Sequence, residues 1–168
     1  MEILHLSKQY SIRDLLPQDA EMVCEVLKKN TTFYKYHPPM VTIESILEDM
    51  EALPPNKEYE DKHYIGFFGE GALVAVMDLI EHYPNQETAL LGFFAMNSDL
   101  QGQGIGTQII SDSVAYLAQV GFKKVRLGID KGNPQSKAFW LKNGFGFTGE
   151  EYESDGSTIL VMERKLYD

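Results

Sequence analysis

Apolar positions recur along this chain with two different periods, and the switches between them predict the order of its elements. A short strand over residues 10–15 comes first. Pro17 then opens a helix in which Ala20, Val23, Cys24 and Leu27 fall at the three- and four-residue intervals of one buried face, and Asn30 and Thr31 end it. Cys24, the single cysteine, lies on that stripe and is read as a small core residue. The aromatic stretch Phe33-Tyr34-Lys35-Tyr36-His37 runs into Pro38-Pro39 and is read as a loop, because proline disfavours helix in the residue before it. A second helix starts near Thr42, carries Ile43, Ile46, Leu47, Met50 and Leu53 on one face, and stops at Pro54-Pro55.

From Tyr64 the pattern changes to that of strands. Residues 64–68, 72–80 and 88–96 are rich in β-branched and aromatic side chains, and Gly69-Glu70-Gly71 and Tyr83-Pro84-Asn85 separate them; three consecutive antiparallel strands are predicted. A glycine-rich turn then enters a helix carrying Ile105, Ile109, Ile110, Val114 and Leu117, which Gly121 ends. Residues 125–129 read as a strand, 134–142 as a short helix, and 145–151 and 158–164 as two closing strands. This order predicts an α/β (α+β) fold: a mixed, mostly antiparallel sheet of about seven strands with helices on both faces, in a single domain spanning 1–168. The helix between the 88–96 and 125–129 strands is a crossover of the kind that joins parallel neighbours. Ligands in such sheets sit at the carboxyl ends of the parallel strands, where the glycine turn departs.

Composition narrows the field. At 168 residues, 43% hydrophobic and 11% aromatic, the chain supports one proper core and is not disordered. Its longest aliphatic run, residues 72–77, is far short of the roughly 20 needed to span a bilayer. The first residues lack the apolar core of a signal peptide, so a cytoplasmic protein with no membrane partner is expected. One cysteine excludes an internal disulfide and a multi-cysteine zinc site, and no metal is expected. The net charge is −10, but it is unevenly spread: residues 1–100 carry 7 positive and 17 negative side chains, whereas 101–148 carry 6 and 2. A strongly acidic chain without an extended basic surface is not a nucleic-acid binder. Its one basic block coincides with the glycine turn.

That turn, Gln101-Gly102-Gln103-Gly104-Ile105-Gly106, places three glycines at alternate positions directly before a helix. Backbone N–H groups there, with the positive helix end, make an anion site that needs no lysine. It is not a Walker loop, which would continue Gly-Lys-Ser/Thr where this chain has Gly106-Thr107-Gln108, and Thr107 stands where a dinucleotide fingerprint requires glycine or alanine. The turn resembles the Gln/Arg-x-x-Gly-x-Gly/Ala signature of the GNAT superfamily of acetyltransferases. Asn133-Pro134-x-Ser136-x-Ala138-Phe139-Trp140-x-Lys142-x-Gly144-Phe145 resembles the same family's second motif, in the expected order and spacing. The likeness covers residues 64–165, and the two helices before it fit the family's variable substrate-side region. It implies acetyl-coenzyme A as co-substrate: main chain near Phe94 and Met96 pairs with the pantetheine arm between splayed strands, residues Leu100, Gln101, Gly102, Gln103, Gly104, Ile105, Gly106 and Thr107 hold the phosphates, and Asn133, Ser136 and Lys142 reach the pantetheine and phosphate region. A homodimer is implied by the resemblance alone.

Acetyl transfer to an amine needs a neutral nucleophile, yet an alkyl amine has a pKa near about 10.4, so a base must take its proton. Main-chain N–H groups at 94–96 are the natural donors to the oxyanion. The family's usual acid is a tyrosine where this chain has Trp140, whose indole N–H is not a practical proton donor. Tyr83, or a tyrosine of the 33–37 stretch, is the acid candidate; Asp78, which interrupts an apolar strand, and His82 are the base candidates. The acidic first hundred residues favour a small cationic amine as acceptor, attacking directly in a ternary complex, since the one cysteine sits on a core face. The alternatives are an N-terminal acetyltransferase of proteins or peptides, a non-catalytic acyl-coenzyme A-binding module, and a nucleotide-binding protein that uses the turn for ATP or NAD.

Overall fold

The computed structural model describes residues 1–166, so the last two positions of the 1–168 span lie outside the described residues. Seven strands form one sheet: β1 (Ser11–Asp14), β2 (Lys62–Gly69), β3 (Ala72–Ile80), β4 (Thr88–Met96), β5 (Lys124–Asp130), β6 (Gly146–Ser154) and β7 (Ser157–Lys165), in the order β1-β2-β3-β4-β5-β7-β6. Only β4 and β5 run parallel, as the crossover requires. Helix α1 (Ala20–Leu27), α2 (Thr31–Tyr36) and α3 (Ile43–Glu51) cover one face; α4 (Ile105–Gln119) and α5 (Pro134–Lys142) serve the other. Because strand side chains alternate, β3 feeds both cores. Met77 and Leu79 meet Ile109, Ile110 and Val114 of α4, while Val76 joins Val23, Leu27 and Ile46 on the α1–α3 side. Among the described residues no helix is long and apolar enough to cross a membrane.

The stretch after Asn30 departs from expectation. Helix α1 ends at Leu27, where Asn30 N–H turns back onto the Leu27 carbonyl at 2.9 Å, and residues Thr31–Tyr36, expected as loop, form the short helix α2. Proline acts only on the immediate neighbour, so α2 stops at His37, directly before Pro38. Ile43, expected on the buried face of α3, sits in its first turn and is 41% exposed, while Ile46 one turn on is fully buried. Thr42 and Ser45 cap this helix reciprocally.

One irregularity positions everything that follows. Asp78 pairs with Phe93 and Leu79 with Leu91, so Gly92 is an extra residue on β4, a bulge that bends the strand. Pairing of β4 with β5 ends at the same place, with Leu91 opposite Leu127. Beyond it β5 keeps its partner β7 through Asp130, and β4 turns away. The sheet is therefore split between residues 92–96 and 128–130.

Candidate active site

A cavity of about 370 Å³ occupies the split. Phe94, Ala95 and Met96 of β4 form its floor, the turn from Leu100 to Thr107 one wall, and Ser136, Phe139, Trp140 and Lys142 of α5 the other. Asn97 N–H points to β3, onto the Val74 carbonyl at 2.8 Å; by strand alternation the main-chain groups of Phe94 and Met96 point the other way, into the split. Every residue proposed for the coenzyme lines this cavity except Gln103 and Asn133. Gln103 is exposed on the turn. Asn133 is buried and caps α5, its Oδ1 accepting from Gln135 and Ser136 N–H at 3.1 and 3.2 Å, while its Nδ2 is buried without a partner among the described residues.

The turn could hold an anion. Gly102 and Gly104 have φ of +80° and +79°, in the left-handed region that side chains disfavour, and a Cβ at either would meet nothing, so their backbone is open to a ligand. Gly106 is a different case: its Cβ would lie 3.2 Å from Met96 Cγ and 3.3 Å from Phe139, so there the missing side chain serves close packing. Helix α4 has no side-chain cap and no acidic residue in its first turn, and its first helical bond, Gln108 N–H to the Gly104 carbonyl, leaves the N–H groups of residues 105–107 free of intrahelical partners.

Sequence reasoning missed the cavity's far rim. Asn30 Nδ2 donates to the Met96 carbonyl at 3.1 Å, Gln101 Nε2 donates to Asn30 Oδ1 at 2.9 Å, and Gln135 Nε2 reaches Gln101 Oε1 at 3.4 Å. This polar chain ties the α1–α2 junction to the glycine turn and α5. A lone polar residue at a helix end reads only as a terminator, and nothing in its spacing points across 66 residues to β4. Phe33 of α2 also lines the cavity and meets Phe93 edge-on at 5.8 Å.

The acid and base candidates scatter. Asp78 lies beside the bulge, with Gly92 so close that a Cβ there would be 3.2 Å from Asp78 Oδ2. Burial pushes its carboxyl above the ordinary range, against the pull of Lys62, whose Nζ holds both carboxylate oxygens at 2.9 Å. That ammonium occupies the lone pairs a base would use. His82 sits in the turn before β4, at the opposite end of the strand from the split; its ring lies on Phe122 and its Nδ1 meets the Gln86 carbonyl at 2.8 Å. Tyr83 is in the same turn and does not line the cavity. Trp140 is buried in an aromatic cluster with Phe94, Phe139 and Phe145. On the α1–α3 side, burial raises the phenols of Tyr34 and Tyr64, and partial desolvation together with nearby Asp78 raises the carboxyl of Asp49, a residue exposed at the surface.

The family model described as the acetyltransferase (GNAT) family matches residues 22–145. No curated protein matches the sequence. Among solved structures, the PaiA N-acetyltransferase from Thermoplasma acidophilum in complex with coenzyme A superimposes with a TM-score of 0.65 at 22% identity, covering 93% of this chain and 98% of that one. A chimera of the spermidine N-acetyltransferase SpeG from Vibrio cholerae and hSSAT gives 0.70 at 18% identity, covering 95% and 96%. The ribosomal-protein-alanine N-acetyltransferase from Brucella melitensis gives 0.63 at 18%, covering 92% and 98%. At these identities the likeness is one of fold.

Proposed function

The chain belongs to the acetyltransferase (GNAT) family, and on that premise we propose that it transfers the acetyl group of acetyl-coenzyme A to a primary amine, by direct attack in a ternary complex. The observation that carries this reading is the split between β4 and β5: it joins a floor of outward-facing main chain, suited to an amide-bearing arm, to an uncapped helix end suited to phosphates. Leu100 to Thr107 would hold the phosphates, with Lys142 and Ser136 on the facing wall. Asn133 Nδ2 is a buried donor without a partner among the described residues, but its Oδ1 is committed to α5, so its part is to fix that helix first. The bound thioester supplies an activated acyl carbon. The main-chain N–H groups of Phe94 and Met96 would stabilise its oxyanion, and because a thiolate resembles cysteine, with a pKa near roughly 8.5, the sulfur leaves without a strong acid. This fits a chain in which tryptophan stands at position 140.

The acceptor we infer is a small cationic amine. The acidic first hundred residues include α1, α2 and α3, and the carboxylates of Asp49 and Asp78 lie on that side of the sheet. A panel of polyamines, amino acids, aminoglycosides and short peptides, read by coenzyme A release, tests it. Turnover is expected with polyamines or other cations. Preference for peptides would favour a protein N-terminal acetyltransferase, and acetyl-coenzyme A binding without release by any amine would leave a non-catalytic binding module. Thermal shifts with acetyl-coenzyme A but not with ATP or NAD are expected.

A further inference from the structure

The split has two lips, and a chain of side chains through α2 joins them on the α1–α3 side. On the β4 lip, Phe93, the first residue past the bulge, meets Phe33 of α2. At the end of α2 the His37 ring lies 5.5 Å from the same Phe33 ring. From the β5 lip, Asp130, the last residue of the strand, binds His37 Nδ1 at 2.8 Å. Ile129 belongs to the core on the α4 side, so strand alternation turns Asp130 to the α1–α3 side, where Phe93 also packs. Phe93, Phe33, His37 and Asp130 thus bridge the opening on the face away from α4 and α5. An acceptor coming from that face meets them at the split.

The two polar members are unequal. The Asp130 side chain is 6% exposed and that of His37 37%. A buried carboxylate beside an imidazole fixes its tautomer: Nδ1–H donates to Asp130, and the lone pair is left on Nε2. Among the described residues Nε2 has no hydrogen-bond partner. The charged groups facing the ring are Asp130 from β5 and Asp49 from α3.

We propose that His37 is the general base for the acceptor amine and that Asp130 is its positioning residue; the assignment rests on the acetyl-transfer reading above. His37 Nε2 takes one proton from the acceptor's ammonium group, and the freed nitrogen pair forms the C–N bond to the acetyl carbon as the C–S bond breaks with its pair on sulfur. The nitrogen's surplus proton passes through water to the sulfur. The products are the amide, the free thiol and an imidazolium that returns its proton to solvent, so every atom and charge is accounted for.

Two measurements test this. Nitrogen-15 NMR of the imidazoles, with no coenzyme or acceptor present, is expected to show neutral His37 protonated on Nδ1, and to show that population reduced in Asp130→Ala; a ring protonated on Nε2 overturns the proposal. Coenzyme A release is then compared for the wild type and His37→Gln with spermidine, which is cationic at pH 7, and with hydroxylamine, which is neutral there. The variant is expected to lose about 10²–10³-fold in kcat/KM with spermidine, much less with hydroxylamine, and the rising limb of the pH profile, while acetyl-coenzyme A affinity stays within about twofold. Equal losses with both amines, or a retained rising limb, overturn the assignment and leave acetyl transfer standing. If the wild type releases coenzyme A with no amine in the panel, acetyl transfer falls and the assignment with it.

Discussion

Asp78 and Lys62 answer to stability before chemistry. The Lys62 side chain is only 3% exposed and its ammonium is matched by both oxygens of one carboxylate, so Asp78→Asn leaves a buried charge without its partner. A loss of about 3–5 kcal/mol in urea unfolding is expected, and the pair of changes Lys62→Met and Asp78→Leu should recover most of it. Asp19 behaves in the opposite sense. The Arg13 guanidinium grips both its oxygens, at 2.9 and 3.0 Å, and with the Leu16 N–H holds its carboxyl below the ordinary 3.8. A lowered folded-state pKa adds stability that is present above the unfolded value and is lost as pH falls through the folded one. Asp19→Asn should therefore lower stability modestly at pH 7, because the exposed Arg13 side is screened by solvent, and cost almost nothing near pH 2, read as the gap between the two unfolding curves.

The elements most legible in the sequence were those whose residues are constrained by their own neighbours. Alternating glycines before Ile105, the helix stripe to Leu117 and the short apolar strands all appear where the local pattern puts them, and β4 and β5 run parallel because only a helix joins them. What stayed hidden depends on distant partners. Gly92 reads as one glycine among fourteen until its register with Asp78 makes it a bulge, and Asn30, Phe33 and His37 become site residues only when α2 folds over the split. Local chemistry still sets testable limits. Gly104→Ala forces a side chain into φ of +79° at the head of α4, a strain of roughly 1–2 kcal/mol; acetyl-coenzyme A binding by calorimetry should weaken about tenfold. Asn133→Ala removes the α5 cap and should cost about 1 kcal/mol in thermal unfolding, with a loss of coenzyme affinity that follows the frayed wall.

At the scale of the molecule, opposite charges are kept apart: the basic stretch that contains the glycine turn and α5 carries +4, and the rest of the chain −14. Attraction through solvent is screened over about 8–10 Å near physiological salt, so kcat/KM for a cationic amine should fall several-fold on raising ionic strength, while a neutral amine shows little change. The parting of β4 from β5 has a physical side apart from catalysis. Past Gly92 the main chain of Phe94 and Met96 faces a gap, half covered at Met96 by the amide of Asn30. An unmated length of strand inside a sheet is adhesive to any extended chain, its own copies included. Colloidal behaviour should therefore track occupancy: on warming, light scattering begins earlier in the empty protein than in the same protein held with coenzyme A, whose pantetheine, in the proposed binding mode, would take the place of the missing neighbour.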